Sequence, residues 1–371
     1  MNSDAQYAAS PAPVIASGVL PVLKQFTLPE ALGFGRVMAP IMYRAQFRNG
    51  GWQAAQVLPY EAISIDPAAK VLHYAQEVFE GLKAYRHSDN NVSLFRPLEN
   101  WKRFNRSADR MCMPAVPESI FMDGVSAVSS LMAKHIPAKP GQSLYLRPFM
   151  IGVDASLGLA ASLDNDFYVI ASPSEVYQQG SFKVMIERQD CRAALGGTGN
   201  VKVGGNYAAA LAAGRRVQAA GFDQSLWLDP AEHRYIEELS GMNVFALING
   251  ALHTPSLSGS ILPGITRDSV LQLARLSGVE VIERSIDINE LLEAVVSGEC
   301  SEVFACGTAA VITPISIIAD GDIRYEFKAG NPFATQLHTL LTDIQEGRGE
   351  DVFNWNWPLT DVNVLDTSDS V

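Results

Sequence analysis

Apolar and polar residues alternate with the two-residue period of half-buried strands at several places along the chain. LKAYR (82–86) and VSLFR (92–96) flank the polar turn HSDNN and predict a β-hairpin. SLYLRPFMI (143–151) and DFYVIASP (166–173) predict two longer strands, and FKVMIER (182–188), SLWLD (225–229) and SEVFACG (301–307) three more. Elsewhere the period lengthens to that of a helix. ENWKRFNRSADRM (99–111) predicts one helix, and PESIFMDGVSAVSSLMAKHI (117–136) a second. The latter opens on a proline and lines up Ile120, Val125, Val128, Leu131 and Met132 on one stripe. Further helices are predicted over 206–219, 266–277, 287–297 and 332–346. Asp287 and Glu290 give the third of these a start resembling a capping box, with Asp in place of Ser or Thr.

Helices and strands are interleaved without a regular βαβ rhythm, which disfavours a Rossmann or TIM architecture and predicts a mixed α/β (α+β) fold. A chain of 371 residues suits two domains. The polar, glycine-bearing stretch SEVYQQGS (174–181) marks the boundary. The expected organisation is a smaller N-terminal α/β domain (1–177), a linker (178–187) and a larger C-terminal domain (188–371). The first 20 residues hold no lysine or arginine, unlike a secretory n-region or a transit peptide, and read as a loosely docked arm.

Composition narrows the function. A net charge of −12 argues against nucleic-acid and anionic-membrane partners. No window reaches the ~18 apolar residues of a membrane span. Cys112, Cys191, Cys300 and Cys306 form no CxxC, and no histidine pair has metal spacing, so neither a metal site nor a disulfide framework is expected. Four reduced thiols fit a cytoplasmic protein.

The candidate chemistry starts at GGTGNVKVGGNYAAALAAGRR (196–216), where glycines 196, 197, 199, 204 and 205 bracket Lys202 just before a predicted helix. A phosphate-binding P-loop fails, because Val201 and Val203 flank the lysine. The dinucleotide fingerprint fails too, since Lys202 occupies its third glycine position. Two readings remain: a solvated lysine on a flexible surface loop, or a nucleophilic lysine. An amine attacks carbonyls only when neutral, which flanking valines favour, and glycines let the backbone approach a flat ring. That pattern suits a Schiff-base lysine holding pyridoxal phosphate. Such a cofactor needs an acidic partner for its ring nitrogen, and cations and backbone N–H groups for its phosphate. IEELSGMNVFAL (236–247) offers Glu238 beside a small-residue turn at Ser240 and Gly241. LPGITRDSVLQLA (262–274) offers the N–H groups of Ile265 and Thr266 at a helix start, and ACGTAAVITP (305–314) a second small-residue turn. Taken singly, each is also an ordinary strand end or helix cap.

Together these segments resemble the class IV aminotransferases, and within them the branched-chain amino-acid aminotransferases. The class pattern reads from Glu238 through Asn243, Val244, Phe245 and Thr254 to Gly264, Ile265, Thr266 and Arg267. EVFEGLKAYR (77–86), LFRPLENWKRFNRSADRM (94–111), SLYLRPFMIG (143–152), KVGGNYAAAL (202–211) and LPGITR (262–267) carry the narrower likeness, which covers about residues 30 to 350. The resemblance implies the two-domain fold type IV of pyridoxal phosphate enzymes, like D-amino-acid aminotransferase. It implies transfer of the amino group of leucine, isoleucine or valine to 2-oxoglutarate, reversibly.

Carried over by position, Lys202 would bear the cofactor and shuttle the α-proton, and Glu238 would pair with the ring nitrogen. Tyr207 would hydrogen-bond the phenolic oxygen. Arg103 would hold the phosphate with Ile265 and Thr266, leaving Arg106 as a structural ion-pair partner. The substrate carboxylate would rest on the N–H groups of Thr308 and Ala309. Phe34, Tyr74, Phe79 and Tyr177 would line the side-chain pocket. Arg147, on the strand face of Tyr145, would take the side-chain carboxylate of an acidic substrate; the alternative for it is a buried salt bridge. Leu157 and Leu159, in DASLGLAAS (154–162), would close the pocket of a neighbouring subunit in a homodimer with shared active sites. The expected partners are small amino acids and 2-oxo acids. Some animal members carry a CxxC after the carboxylate-binding turn; Ala310 and Thr313 stand there in this chain, and Cys306 reads as a shielded thiol. Within the class, a D-amino-acid aminotransferase and an aminodeoxychorismate lyase are the alternatives, and a non-catalytic protein of the same fold is a third.

Overall fold

A computed structural model describes residues 12–177, 180–327 and 330–359. The described residues divide into two compact units, 12–176 with 345–359, and those between 177 and 344.

The first unit is built on a ten-stranded sheet. The predicted hairpin is present, Leu82–Arg86 pairing antiparallel with Val92–Phe95. The two long strands, Ser143–Gly152 and Asn165–Ser174, pair antiparallel along their whole length. Helices Pro97–Arg110 and Glu118–Leu131 occur close to their predicted bounds. They bring Phe104 and Phe121 onto Phe167 of the sheet, with ring centroids 5.4 and 6.0 Å away. Three large aromatic side chains taken wholly out of water anchor the helices to the sheet. Part of the arm expected over the first 20 residues is structured. Val14–Ile15 pairs parallel with Gln56–Pro59, and a helix begins at Val19. Residues 1–11 lie outside the described residues.

The second unit holds a nine-stranded mixed sheet. Phe182–Glu187 runs parallel to Gln224–Leu228 on one side and to Val311–Asp320 on the other. Helix Gly204–Ala219 makes the crossover between the first two. Cys300–Gly307 pairs antiparallel with both Val311–Asp320 and Asn243–Ile248. The helices Ile265–Leu276, Ile288–Ser297 and Pro332–Gln345 match the predicted ones within a few residues. A mixed sheet with helices in each unit is the α+β class expected.

Three details depart from the sequence reading. Phe182–Glu187 is a paired strand of the second sheet, where a linker over 178–187 was expected; residues 178 and 179 lie outside the described ones. Residues 345–359 also leave the second unit, which was expected to run to 371. Asn356–Pro358 pairs with Val92–Phe95, and Trp355 packs edge-on against Phe95 and face-on against Phe353. A short aromatic stretch cannot bury its rings alone, and the edge of the first sheet supplies both hydrogen bonds and apolar cover. Finally, only half of the capping box forms. Asp287 accepts from the Asn289 N–H at 2.8 Å, but Glu290 reaches Arg284 at 2.6 Å instead of turning back.

Candidate active site

The glycine-flanked loop is fixed by one side chain. Asn206, buried in the first turn of helix Gly204–Ala219, donates to the carbonyls of Thr198 and Val201 and accepts from the Thr198 hydroxyl. The loop is therefore held, and the flexible-surface reading fails. Lys202 follows between buried Val201 and Val203. Its Nζ lies 2.7 Å from the Tyr207 Oη, one helical turn on.

Glu238 is on strand Ile236–Leu239, and its carboxylate is buried. The Leu239 N–H donates to Met242 O at 2.8 Å and closes the expected turn at Ser240 and Gly241. Asn243, just beyond that turn, donates to Glu238 Oε2 at 2.9 Å and to Leu262 O at 3.0 Å. The Leu262 N–H also donates to the Glu238 carboxylate. Arg192 Nη2 stands 2.9 Å from Glu238 Oε1, both side chains being about 5% exposed. Burial pushes the Glu238 carboxyl up to about 7, opposed by Arg192, Leu262 and Lys202.

The other predicted segments of this unit converge on the same strand ends. Gly264 caps helix Ile265–Leu276 without a side chain of its own at the positive end of the dipole, where Ile265 and Thr266 lie. Gly307 abuts Met242 and precedes the turn carrying Thr308 and Ala309. Gly241 faces the Tyr207 ring. Arg267, the basic end of the class pattern, is buried and anchors the helix through Pro255 O and Glu283. Tyr177, at the start of this unit, is exposed.

In the first unit Phe34, Phe79, Tyr145 and Arg147 form one group. The Arg147 guanidinium lies 4.8 Å over the Phe79 ring and donates to Tyr145 Oη at 3.0 Å. Phe34 meets Tyr145 edge-on at 4.9 Å. Among the described residues Arg147 has no carboxylate partner, and its buried Nε has no acceptor. The salt-bridge alternative for Arg147 is thus not what the fold builds. Gly81 makes room for the group, because a Cβ there would fall 2.0 Å from Tyr145 Oη.

Arg103 and Arg106 sit in opposite settings. Arg103 is buried and forked onto Glu80, Nε to Oε1 at 2.6 Å and Nη2 to Oε2 at 2.8 Å. Arg106 is exposed and, among the described residues, has no ion-pair partner. Asn100 and the Gly81 N–H complete the shell around Glu80. Tyr74 donates to Leu157 O, which fixes a loop whose Leu157 and Leu159 are 65% and 86% exposed.

Sequence reasoning missed Arg192, Glu237, Ser260 and Glu80. No metal cluster occurs among the described residues. Burial pushes the Cys300 thiol up to about 12 and raises that of Cys306 as well, which agrees with shielded thiols. Cys112 and Cys191 are exposed.

The family described as amino-transferase class IV matches residues 77–318. The chain is 44% identical over 334 residues to a branched-chain-amino-acid aminotransferase of Mycolicibacterium smegmatis, covering 87% of this chain and 91% of that one. It is 41% identical over 341 residues to branched-chain-amino-acid transaminase 1 of Bacillus subtilis, covering 88% and 94%. Among solved structures it resembles the branched-chain amino acid aminotransferase of Escherichia coli. The TM-score is 0.68 at 28% identity, over 84% of this chain and 97% of that one.

The geometry makes Gly264 indispensable. A Cβ there would fall 2.1 Å from Asn243 Oδ1, so Gly264→Ala must push Asn243 off Glu238. The variant is expected to lose about 1–3 kcal/mol of stability, through a buried donor and carboxylate left unpaired. A lowered urea midpoint checks this; an unchanged midpoint contradicts it.

Proposed function

The chain belongs to the class IV aminotransferases, and on that premise we infer that it transfers the amino group of leucine, isoleucine or valine to 2-oxoglutarate, reversibly, with pyridoxal phosphate. The observation that carries the reading is the Lys202–Tyr207 contact beside a buried Glu238 carboxylate. The residues present fit the cofactor. An amine, a phenol, a buried carboxylate and a glycine-capped helix start supply the four kinds of group it needs. The relatives are named for branched-chain substrates, which leaves the D-amino-acid and lyase alternatives without support.

When bound, pyridoxal phosphate supplies a carbonyl that condenses with an amine and a conjugated ring that accepts electron density as the α-proton leaves. Lys202 Nζ would hold the cofactor through its carbonyl carbon and would carry the proton to and from the substrate Cα. Tyr207 Oη orients Nζ and would hydrogen-bond the phenolic oxygen. Glu238 would keep a proton on the ring nitrogen, because a carboxylate so poorly solvated is strongly stabilised by a cationic neighbour. Ile265 and Thr266, at the dipole-positive end of their helix, would hold the phosphate; the family pattern assigns Arg103 to the phosphate as well, and Glu80 keeps its fork rigid. Thr308 and Ala309 offer turn N–H groups to the substrate α-carboxylate. Phe34, Tyr74, Phe79 and Tyr177 provide the apolar wall for an aliphatic side chain. Arg147, held by Tyr145 and lacking a carboxylate of its own, receives the side-chain carboxylate of glutamate or 2-oxoglutarate.

The working form is a homodimer with shared active sites, supported by two leucines standing exposed on a pinned loop. Four unpaired thiols support a cytoplasmic setting. A charge of −12 disfavours nucleic acid, and no helix among the described residues is long and apolar enough to cross a membrane.

Arg147→Leu is expected to cost glutamate about 2–4 kcal/mol in kcat/KM while leucine changes little, because only the acidic partner loses its counter-charge. Steady-state kinetics on both substrates check this, and equal losses would make Arg147 structural. Leu157→Asp with Leu159→Asp is expected to yield inactive monomers in sedimentation. Fully active monomers would contradict the shared site.

A further inference from the structure

Glu237 is as deeply buried as its neighbour Glu238, although adjacent strand residues point to opposite faces. Ser260, wholly buried, donates its hydroxyl to Glu237 Oε1, and its own carbonyl accepts from Arg192 Nη2. That same Arg192 nitrogen reaches Glu238 at 2.9 Å. One guanidinium therefore serves a pair of buried carboxylates, directly on one side and through Ser260 on the other. Two atoms are left over. Glu237 Oε2 has no donor and Arg192 Nε has no acceptor among the described residues, and Glu237 lies within electrostatic reach of Arg192. A salt-bridged stability device would leave neither orphan, since each costs desolvation without return.

The charges explain the arrangement. Arg192 and Glu238 alone form a neutral pair, which gives a nearby ring nitrogen little reason to keep a proton. Glu237 returns the cluster to a net negative charge. The other charged groups facing it are Lys202, toward Glu238, and Asp229, toward Glu237. Asp229 stays ionised, because the N–H groups of Ala231, Glu232, Arg234 and Tyr235 hold its carboxyl below the usual range. Burial raises the Glu237 carboxyl, while the Ser260 hydroxyl and Arg192 favour its charged form.

We propose that Glu237 is a positioning residue of the reaction: fixed by Ser260, its carboxylate offsets the Arg192 charge so that Glu238 keeps its own for the ring nitrogen. The proposal rests on the reading of Glu238 as the ring-nitrogen partner. Glu237 itself makes no contact with the cofactor in this account and acts through Arg192.

The test uses holoenzyme loaded with pyridoxal phosphate labelled with 15N in the ring. The wild type is compared with Glu237→Gln, Glu237→Asp and Glu238→Gln. The ring 15N shift reports protonation without turnover. Glu237→Gln is expected to move the shift toward that of a neutral pyridine and to slow single-turnover deamination of leucine roughly tenfold or more, about one unit of ring-nitrogen acidity. Glu237→Asp, which keeps the charge, is expected to restore the wild-type shift. Should the Gln variant not fold, the near-isosteric Glu237→Met is measured in its place. A wild-type shift in the neutral variant overturns the proposal while leaving the cofactor reading intact. If Glu238→Gln also keeps the wild-type shift, or the wild type does not retain cofactor through gel filtration, the underlying reading falls with it.

Discussion

A carboxylate withdrawn from water needs a counter-charge and hydrogen-bond donors, and Glu238 draws the second unit's elements together to obtain them. The Leu262 N–H comes from the loop before helix Ile265–Leu276, Asn243 from the start of its strand, and Arg192 from the loop after Phe182–Glu187. Three segments far apart in sequence are thereby fixed at one point. The glycine cap at Gly264 belongs to the same constraint, since Asn243 occupies the space a side chain would need. Lys202 lies close enough to stabilise the charged form of Glu238, so amine and acid are positioned by one network. Preorganisation of this kind is what chemistry on a bound ring requires, because no group has to be recruited as charge develops.

The first unit uses the same device with a different result. Glu80 is fully buried and satisfied by Arg103, Asn100 and the Gly81 N–H, which leaves Arg103 rigid. One residue on, Gly81 admits Tyr145, and Tyr145 holds Arg147. Arg147 contrasts with Arg103 in having aromatic faces and a phenol for neighbours instead of a carboxylate. A guanidinium built into an apolar setting without an internal anion is suited to an external one.

How much of this was legible follows from the range of each signal. Local periodicity reported the strands and helices well, including Ser143–Gly152 and Glu118–Leu131, because apolar spacing is a property of neighbours. The motif residues Lys202, Glu238, Ile265 and Thr266 could be picked out because small residues and a helix start surround them within a few positions, whereas Tyr207 came only with the family resemblance. Arg192 was not, since it sits in the polar stretch ERQDCR with nothing local to show that it folds onto Glu238. Glu237 was masked by Glu238, because strand alternation would send one of two adjacent glutamates to water. The loop carrying Ser260 covers that other face. The return of the C-terminal strand to the first sheet was unreadable for the same reason: pairing between residues near 95 and near 356 has no local signature.

The central claim is that the lysine of the glycine-flanked loop carries the cofactor. The most direct measurement is borohydride reduction of the holoenzyme followed by peptide mass spectrometry. The account predicts a single phosphopyridoxyl adduct per chain, on the peptide containing Lys202. An adduct on any other lysine, or none in a preparation that retains its cofactor, would contradict it.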